Sequence, residues 1–274
     1  MRATLTKITL AVLAAVSVIA FAAPGGTAEA KGPVTVFLAG DSTMASKLPT
    51  KRPETGWGEA LEQHFREGKV KVDNRAANGR STKTFISENR WQGILDSLKA
   101  GDYVFIQFGH NDASKEKGDR YTPPEDYRAN LVRFVRDVRA KKATPVLLTP
   151  VMRRRFNKEG QFYDAHGEYP DIVRRVAAEE RVALIDMHRK SEKVIVRYGE
   201  EESKKLFLQL KAGEHANYPQ GVDDNTHFSP LGAEVMAALA VEGIREQKLG
   251  LAKLLKKGNK TNKAEPRAVA GGPR

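Results

Sequence analysis

The sequence of 274 residues contains no cysteine. This absence excludes a disulfide framework, a thiol nucleophile and a cysteine-ligated metal site. It also excludes a membrane anchor attached to a lipid-modified cysteine. Any nucleophilic catalysis must therefore use serine, threonine, lysine or a carboxylate.

Nucleic-acid-binding motifs are also missing, although the formal net charge is +12. No stretch of the chain interleaves aromatic and basic residues in the way such motifs do. We therefore expect no nucleic-acid partner. A basic protein attracts polyanions such as pectins, anionic wall polymers and lipid headgroups. A solvated surface that only aids solubility explains the charge equally well, so both interpretations stay open.

The longest uncharged apolar run is Ile8–Ala23, which follows the basic residues Arg2 and Lys7 and precedes small residues at Ala28–Ala30. This pattern is typical of a cleavable signal peptide. The run is shorter than the ~20 residues that a membrane span needs, and an uncleaved anchor is the alternative. We therefore predict that residues 1–30 are removed, that no stable membrane anchor remains, and that the protein is secreted or periplasmic.

Short apolar, β-branched runs alternate with longer amphipathic stretches along the rest of the chain. Five runs are predicted strands: Val34–Ala39, Val70–Ala76, Asp102–Phe108, Thr144–Thr149 and Val182–Met187. The predicted helices are Gly56–Gly68, Trp91–Leu98, a long helix opened by Pro123 and Pro124, Asp171–Glu180 and Leu231–Gln247. This order indicates an α/β fold, with helices on both faces of a five-stranded parallel sheet. We predict one domain over residues 31–250 and a basic, disordered tail at residues 251–274.

Three clusters of polar residues follow predicted strands: Gly40–Thr43, Asn78–Ser81 and Gly109–Asp112. In a parallel sheet the carboxyl ends of the strands share one edge, where active sites collect. Glycine lets the chain turn sharply enough to expose Ser42, and it lets the N–H of Gly79 approach a negative charge. The side-chain amide of Asn111 can donate a hydrogen bond to an oxyanion. Taken singly, each cluster is explained as well by a helix cap or a simple turn.

A fourth cluster, Asp223–Pro230, precedes the last predicted helix. Asp224 stands three residues before His227, so in a turn its carboxylate can reach the Nδ1–H of the imidazole and direct Nε2 toward a nucleophile. Helix capping again explains Asp224 alone. Together, the four clusters supply a nucleophile, a base with its orienting acid, and oxyanion donors, which are the roles that acyl transfer needs.

The four clusters, in this order, resemble the signature blocks of the SGNH/GDSL hydrolases, and the likeness extends from Val34 to Gln247. Within that superfamily the chain is most similar to the rhamnogalacturonan acetylesterases of carbohydrate esterase family 12. The residues that carry this likeness are Gly40–Thr43, Gln107–Asp112, Thr149–Val151, Arg153–Arg155, Tyr169–Pro170 and Asp224–Ser229.

The resemblance implies a flavodoxin-like fold of three layers, α/β/α, and an enzyme with no metal and no organic cofactor. It implies that Ser42 is the nucleophile, that His227 is the base and that Asp224 orients it. The oxyanion would be held by the backbone N–H groups of Ser42 and Gly79 and by the side chain of Asn111. The implied substrate is an acetylated polysaccharide, pectic rhamnogalacturonan, and we expect a monomer.

Five further residues are candidates for substrate binding: Arg80, His110, Arg153, Arg154 and Arg155. The three consecutive arginines follow the fourth predicted strand, and a guanidinium pairs well with a carboxylate such as that of galacturonate. Pairing with the nearby acids Glu159 and Asp164 is the alternative, and Arg80 shares this ambiguity. His110 serves either packing or substrate contact.

Two other functions fit parts of the pattern. A different SGNH ester hydrolase, such as a xylan or wall-polymer deacetylase, a lipase or a thioesterase, would share the triad and differ in substrate. A non-catalytic polyanion-binding protein would use the basic surface, but it would have no need of all four clusters.

Overall fold

The computed structural model describes residues 32–257. The predicted signal peptide at residues 1–30 and the larger part of the predicted tail, residues 258–274, lie outside the described residues. Within residues 32–257, no helix combines the length and the apolar character needed to cross a membrane.

A five-stranded sheet forms the centre of the structure, and all its strands are parallel. Its strands are β1 (Val34–Gly40), β2 (Val70–Asn74), β3 (Tyr103–Gln107), β4 (Thr144–Leu148) and β5 (Ala183–Ile185). Their order in the sheet is β2-β1-β3-β4-β5, as in a flavodoxin-like fold. The order reverses beside β1, which places the expected binding crevice where β1 and β3 end.

Six α-helices accompany the sheet in the described residues. They are α1 (Thr82–Ser87), α2 (Arg90–Ser97), α3 (Pro124–Ala140), α4 (Tyr169–Glu179), α5 (Met187–Glu202) and α6 (Pro230–Glu246). Side chains alternate between the two faces of a strand, so Val36 and Leu38 of β1 join one core while Phe37 and Ala39 join another. Helices α5 and α6 contribute to the first core, and α1 to α4 contribute to the second. The three-layer prediction is therefore confirmed.

The predicted helix over Gly56–Gly68 is wrong. This segment forms two short 3-10 helices, Trp57–Ala60 and Glu62–His64. The N–H groups of Trp57 and Gly58 donate to the carbonyls of Thr43 and Met44, at 3.0 and 3.2 Å. These bonds tie the segment to the loop that carries Ser42, and tertiary packing overrides the helical spacing of the apolar residues.

A two-stranded antiparallel hairpin, β6 (Phe207–Leu210) with β7 (Val222–Phe228), stands outside the main sheet. The fourth polar cluster was expected in a turn, but Asp224 and His227 lie within β7. The sequence hides this strand because aspartate and asparagine are depleted in strands. Pairing with β6 and the bridge between Thr55 and Phe228 hold β7 in place.

The domain extends past its predicted end at residue 250. A 3-10 helix covers Gly250–Leu254, Leu251 and Leu255 are buried, and Leu255 forms a β-bridge with Phe65. The first residues of the predicted tail therefore pack on the domain because they carry these two leucines among the lysines.

The start of α6 approaches the end of the preceding 3-10 helix, Ser203–Leu206, so closely that only glycine fits. A Cβ at Gly232 would lie 1.8 Å from the carbonyl oxygen of Leu206. We expect Gly232→Ala to lower the free energy of unfolding by roughly 1–3 kcal/mol, because the helix must move away from Leu206. Urea denaturation of the purified variant measures this loss.

Gly93 in α2 provides the matched control, since a Cβ there would meet no atom within 4 Å. Gly93→Ala should raise the stability by up to about 1 kcal/mol, because alanine is the better helix former. Equal effects of the two substitutions would contradict the close contact at Gly232.

Candidate active site

The loop after β1 presents Ser42 at the carboxyl edge of the sheet, and a chain of buried hydrogen bonds fixes it. Asp41 accepts hydrogen bonds from the backbone N–H and the hydroxyl of Thr43, at 2.9 and 2.8 Å. The Thr43 hydroxyl accepts from Gln107 Nε2 at 2.8 Å, and Gln107 Oε1 accepts from Trp57 Nε1 at 3.1 Å. The orientation of Ser42 therefore depends on contacts with β3 and with the first 3-10 helix.

The structure brings Ser42, His227 and Asp224 into one hydrogen-bonded row. His227 Nδ1 lies 2.6 Å from Asp224 Oδ2, and His227 Nε2 lies 2.8 Å from Ser42 Oγ. Because the Asp224 carboxylate accepts a hydrogen bond from Nδ1–H, the Nε2 lone pair faces the serine hydroxyl and can accept its proton. This is the arrangement that the sequence predicts.

Asp224 is held as a carboxylate by its surroundings. Burial alone would raise its pKa, but the hydrogen bond and charge of His227 outweigh that effect. The backbone N–H groups of Thr226 and His227 also donate to Asp224 Oδ1, at 2.7 and 2.9 Å. The pKa of Asp224 falls to about 2 as a result.

The three predicted oxyanion donors, Ser42, Gly79 and Asn111, each keep an N–H group that no residue among 32–257 accepts. Gly79 has a φ of 75°, in the left-handed region that favours glycine. The backbone N–H groups of Ser42 and Gly79 have no acceptor among residues 32–257. Asn111 is 6% exposed, and its Nδ2 donates one hydrogen bond to the carbonyl of Arg80 at 3.0 Å, which leaves its second N–H for a ligand.

Lys47 is a residue of the site that sequence reasoning missed. Its buried ammonium group donates to the carbonyl of Ser42 at 2.5 Å and to Asn78 Oδ1 at 2.9 Å, and it pairs with Glu54 at 2.7 Å. Three donors thus meet three acceptors, and the loop of Ser42 is tied to the loop of Gly79. A lysine five residues after the serine carries no signal of this contact in the sequence.

The three consecutive arginines do not act together. Arg154 is buried, and its guanidinium donates to the carbonyl of Glu200, to Ser203 Oγ and to Asn225 Oδ1. The prediction that Arg154 binds substrate is therefore wrong, because its donors are used inside the protein. Arg153 and Arg155 instead line a cavity that Arg154 does not reach.

The alternative partners proposed for these arginines are not used. Neither Arg153 nor Arg155 forms an ion pair with Glu159 or Asp164 in the described part of the chain. Arg80, in contrast, pairs with Glu88 at 2.9 Å, and it also donates to the carbonyl of Asn78.

Asp164, His166 and His188 are the one group of three metal-ligating side chains within residues 32–257, with ligand atoms within 4.8 Å of one another. The two histidines instead lie at hydrogen-bond distance from Asp164, with His166 Nδ1 at 2.8 Å and His188 Nε2 at 3.1 Å. Arg174 Nη2 lies 3.3 Å from His188 Nδ1, and its positive charge opposes a cation at this position.

His110, which was predicted to serve packing or substrate contact, is buried edge-on against His166.

Known proteins resemble this chain in sequence and in fold. The protein is 45% identical to the rhamnogalacturonan acetylesterase RhgT of Bacillus subtilis over 221 residues, which cover 81% of this chain and 93% of that relative. The crystal structure of Bacillus subtilis YxiM superposes with a TM-score of 0.67 at 26% identity, covering 80% of this chain and 58% of that chain.

The acetylxylan esterase Axe2 of Geobacillus stearothermophilus is 16% identical and shares the fold, with a TM-score of 0.55 over 77% of this chain and 94% of that one. The sequence profile of the GDSL-like lipase/acylhydrolase family matches residues 38–235, from β1 into α6 and across all four polar clusters. The chain therefore belongs to the GDSL-like lipase/acylhydrolase family.

Proposed function

We propose that this protein is a serine esterase that removes acetyl groups from rhamnogalacturonan through an acetyl-Ser42 intermediate. The hydrogen-bonded row of Ser42, His227 and Asp224, at 2.8 and 2.6 Å, is the observation that carries the chemistry. The polymer is proposed because RhgT, a rhamnogalacturonan acetylesterase, is 45% identical over nearly the whole domain.

In the first step, His227 Nε2 takes the proton of Ser42 as Oγ attacks the acetyl carbonyl carbon. The resulting oxyanion accepts hydrogen bonds from the N–H groups of Ser42 and Gly79 and from the side chain of Asn111. The C–O bond to the sugar then breaks, and His227 returns its proton to the sugar oxygen. The products of this step are the deacetylated sugar and acetyl-Ser42.

In the second step, a water molecule attacks acetyl-Ser42 while His227 takes one of its protons. The tetrahedral intermediate collapses, Ser42 recovers its proton from His227, and acetate leaves. Asp224 stays ionised throughout and stabilises the imidazolium of His227 in both steps, in keeping with its lowered pKa. All the reacting side chains belong to one chain, so a monomer suffices.

We further propose that residues 1–30 direct export and are removed, so that the enzyme meets its polymeric substrate outside the cytoplasm. The basic N-terminus followed by the run Ile8–Ala23 supports this proposal. Sequencing of the mature N-terminus tests it, because retention of these residues would count against cleavage.

Ser42→Ala should lower kcat by about 10⁴-fold or more, because it removes the nucleophile and leaves the fold in place. Acetate release from acetylated rhamnogalacturonan, acetylated xylan and a longer-chain acyl ester measures both the activity and the preference. We expect the wild type to prefer the pectic polymer. Ser42-dependent activity on only another ester would support the catalytic mechanism but contradict rhamnogalacturonan as the substrate. A fully active Ser42→Ala variant would contradict the mechanism.

Asn111→Ala should lower kcat by roughly 10²–10³-fold with little change in KM, because an oxyanion contact forms chiefly in the transition state. Steady-state kinetics on 4-nitrophenyl acetate separates the two constants. A change confined to KM would assign Asn111 to substrate binding instead.

Asp224→Asn should lower kcat by about 10⁴-fold, because the amide favours the wrong imidazole tautomer. It should also weaken the fold in a pH-dependent way. The lowered pKa of Asp224 means that its contribution to stability is present above pH 4 and is lost as the pH falls toward 2.

Urea denaturation at pH 7, 5 and 3 therefore should show a stability gap between wild type and Asp224→Asn that narrows at pH 3. A gap that widens on acidification would contradict the lowered pKa.

A further inference from the structure

A cavity of about 240 Å³ opens beside the catalytic residues. Its polar lining includes His110, Glu116, Lys117, Arg153, Arg155 and His166. We call this cavity the cationic pocket. Arg153 joins it to the triad, because its Nη1 donates to Thr226 Oγ1 at 2.8 Å, one residue before His227. His110 joins it to the oxyanion donors, since Asn111 is the next residue in the chain.

The cations that line the cationic pocket outnumber its acids. Lys117, Arg153 and Arg155 form no ion pair within residues 32–257, and Glu116 is the single acid among the lining residues. Two guanidinium groups and an ammonium group around one small cavity favour a carboxylate, which accepts charge-assisted hydrogen bonds from all of them.

The wall of the cationic pocket also holds polar nitrogen atoms that lack partners. His166 is 2% exposed, and its Nδ1–H donates to Asp164, so its Nε2 carries a lone pair that meets no donor among the described residues. Both ring nitrogens of His110, which is 4% exposed, are likewise buried without a partner there. Burial lowers the pKa of His110 well below its usual range, so the ring is neutral and offers one donor and one acceptor.

A ligand that satisfies this pocket must combine a carboxylate with hydroxyl groups. The carboxylate accepts hydrogen bonds from the three cations, while hydroxyl groups suit the polar wall that His110 and His166 contribute to the cavity. A uronic acid unit carries both kinds of group on one ring, whereas a neutral sugar such as xylose lacks the carboxylate.

We propose that the cationic pocket binds a uronate unit of the polymer next to the acetylated position and thereby selects acidic over neutral polysaccharides. This inference deepens the proposed function and rests on it for the identity of the polymer. Arg155 and Lys117 are the specificity-determining residues in this proposal, because they face the pocket without touching the triad.

The test compares wild type with Arg155→Gln, Lys117→Gln and the double variant, and uses Lys193→Gln as the matched control. Lys193 is an exposed cation of α5 that does not line the pocket. On acetylated rhamnogalacturonan, we expect KM to rise roughly threefold to tenfold in each single variant and further in the double variant, with kcat nearly unchanged. Hydrolysis of 4-nitrophenyl acetate, which has no carboxylate, should fall far less than hydrolysis of the polymer in the pocket variants, and Lys193→Gln should leave both rates unchanged.

A binding measurement separates this inference from the proposed function. Unacetylated trigalacturonate is titrated calorimetrically into Ser42→Ala, with and without the two pocket substitutions, beside its fully methyl-esterified form. We expect binding of the acid that weakens at least about tenfold on esterification and likewise on substitution of the pocket.

Equal affinity for the acid and its ester, or binding that survives the double substitution, would overturn the pocket proposal even if the enzyme deacetylates rhamnogalacturonan. Selective binding of the acid without activity on rhamnogalacturonan would support uronate binding by the cationic pocket and contradict the proposed substrate instead.

Discussion

The contact between Ser42 and His227 joins two residues that lie 185 positions apart in the chain. Parallel pairing of β1 with β3 fixes the level at which the Ser42 loop leaves the sheet. The hairpin of β6 and β7 brings His227 to the same level, held by the bridge from Thr55 to Phe228. A shift of one residue in β7 would turn His227 to the other face of the strand, so the site depends on correct register in both sheets.

Asp112 and Asp224 look alike in the sequence, but burial and hydrogen-bond partners give their carboxyl groups different pKa values and different roles. Burial raises the pKa of Asp112 to about 7, although Thr82 donates to it from both its N–H and its hydroxyl, at 2.9 and 2.6 Å. Asp224, which faces His227 and two backbone N–H groups, has its pKa lowered to about 2. Asp112 therefore anchors the start of α1 to the loop of Asn111, whereas Asp224 serves the base.

Most of the sheet could be predicted from the sequence, because buried parallel strands are short apolar runs that stand out between amphipathic stretches. The residues of the triad could be named because their motifs occur in one order at one edge. Strand β7 could not be predicted, since its polar residues are held by partners far along the chain. The contacts of Lys47, and the different environments of Arg154 and Arg155, also could not be predicted. They depend on residues that are distant in the sequence and close only in the folded structure.

The ribosome adds the nucleophile Ser42 long before it adds the base His227. A growing polypeptide acquires Ser42 early, but His227 emerges only after four-fifths of the chain has been made. Until the hairpin of β6 and β7 has been made and has docked, the serine is an ordinary, weakly reactive hydroxyl. A translation product interrupted before β7 therefore lacks His227 and cannot hydrolyse esters with this triad.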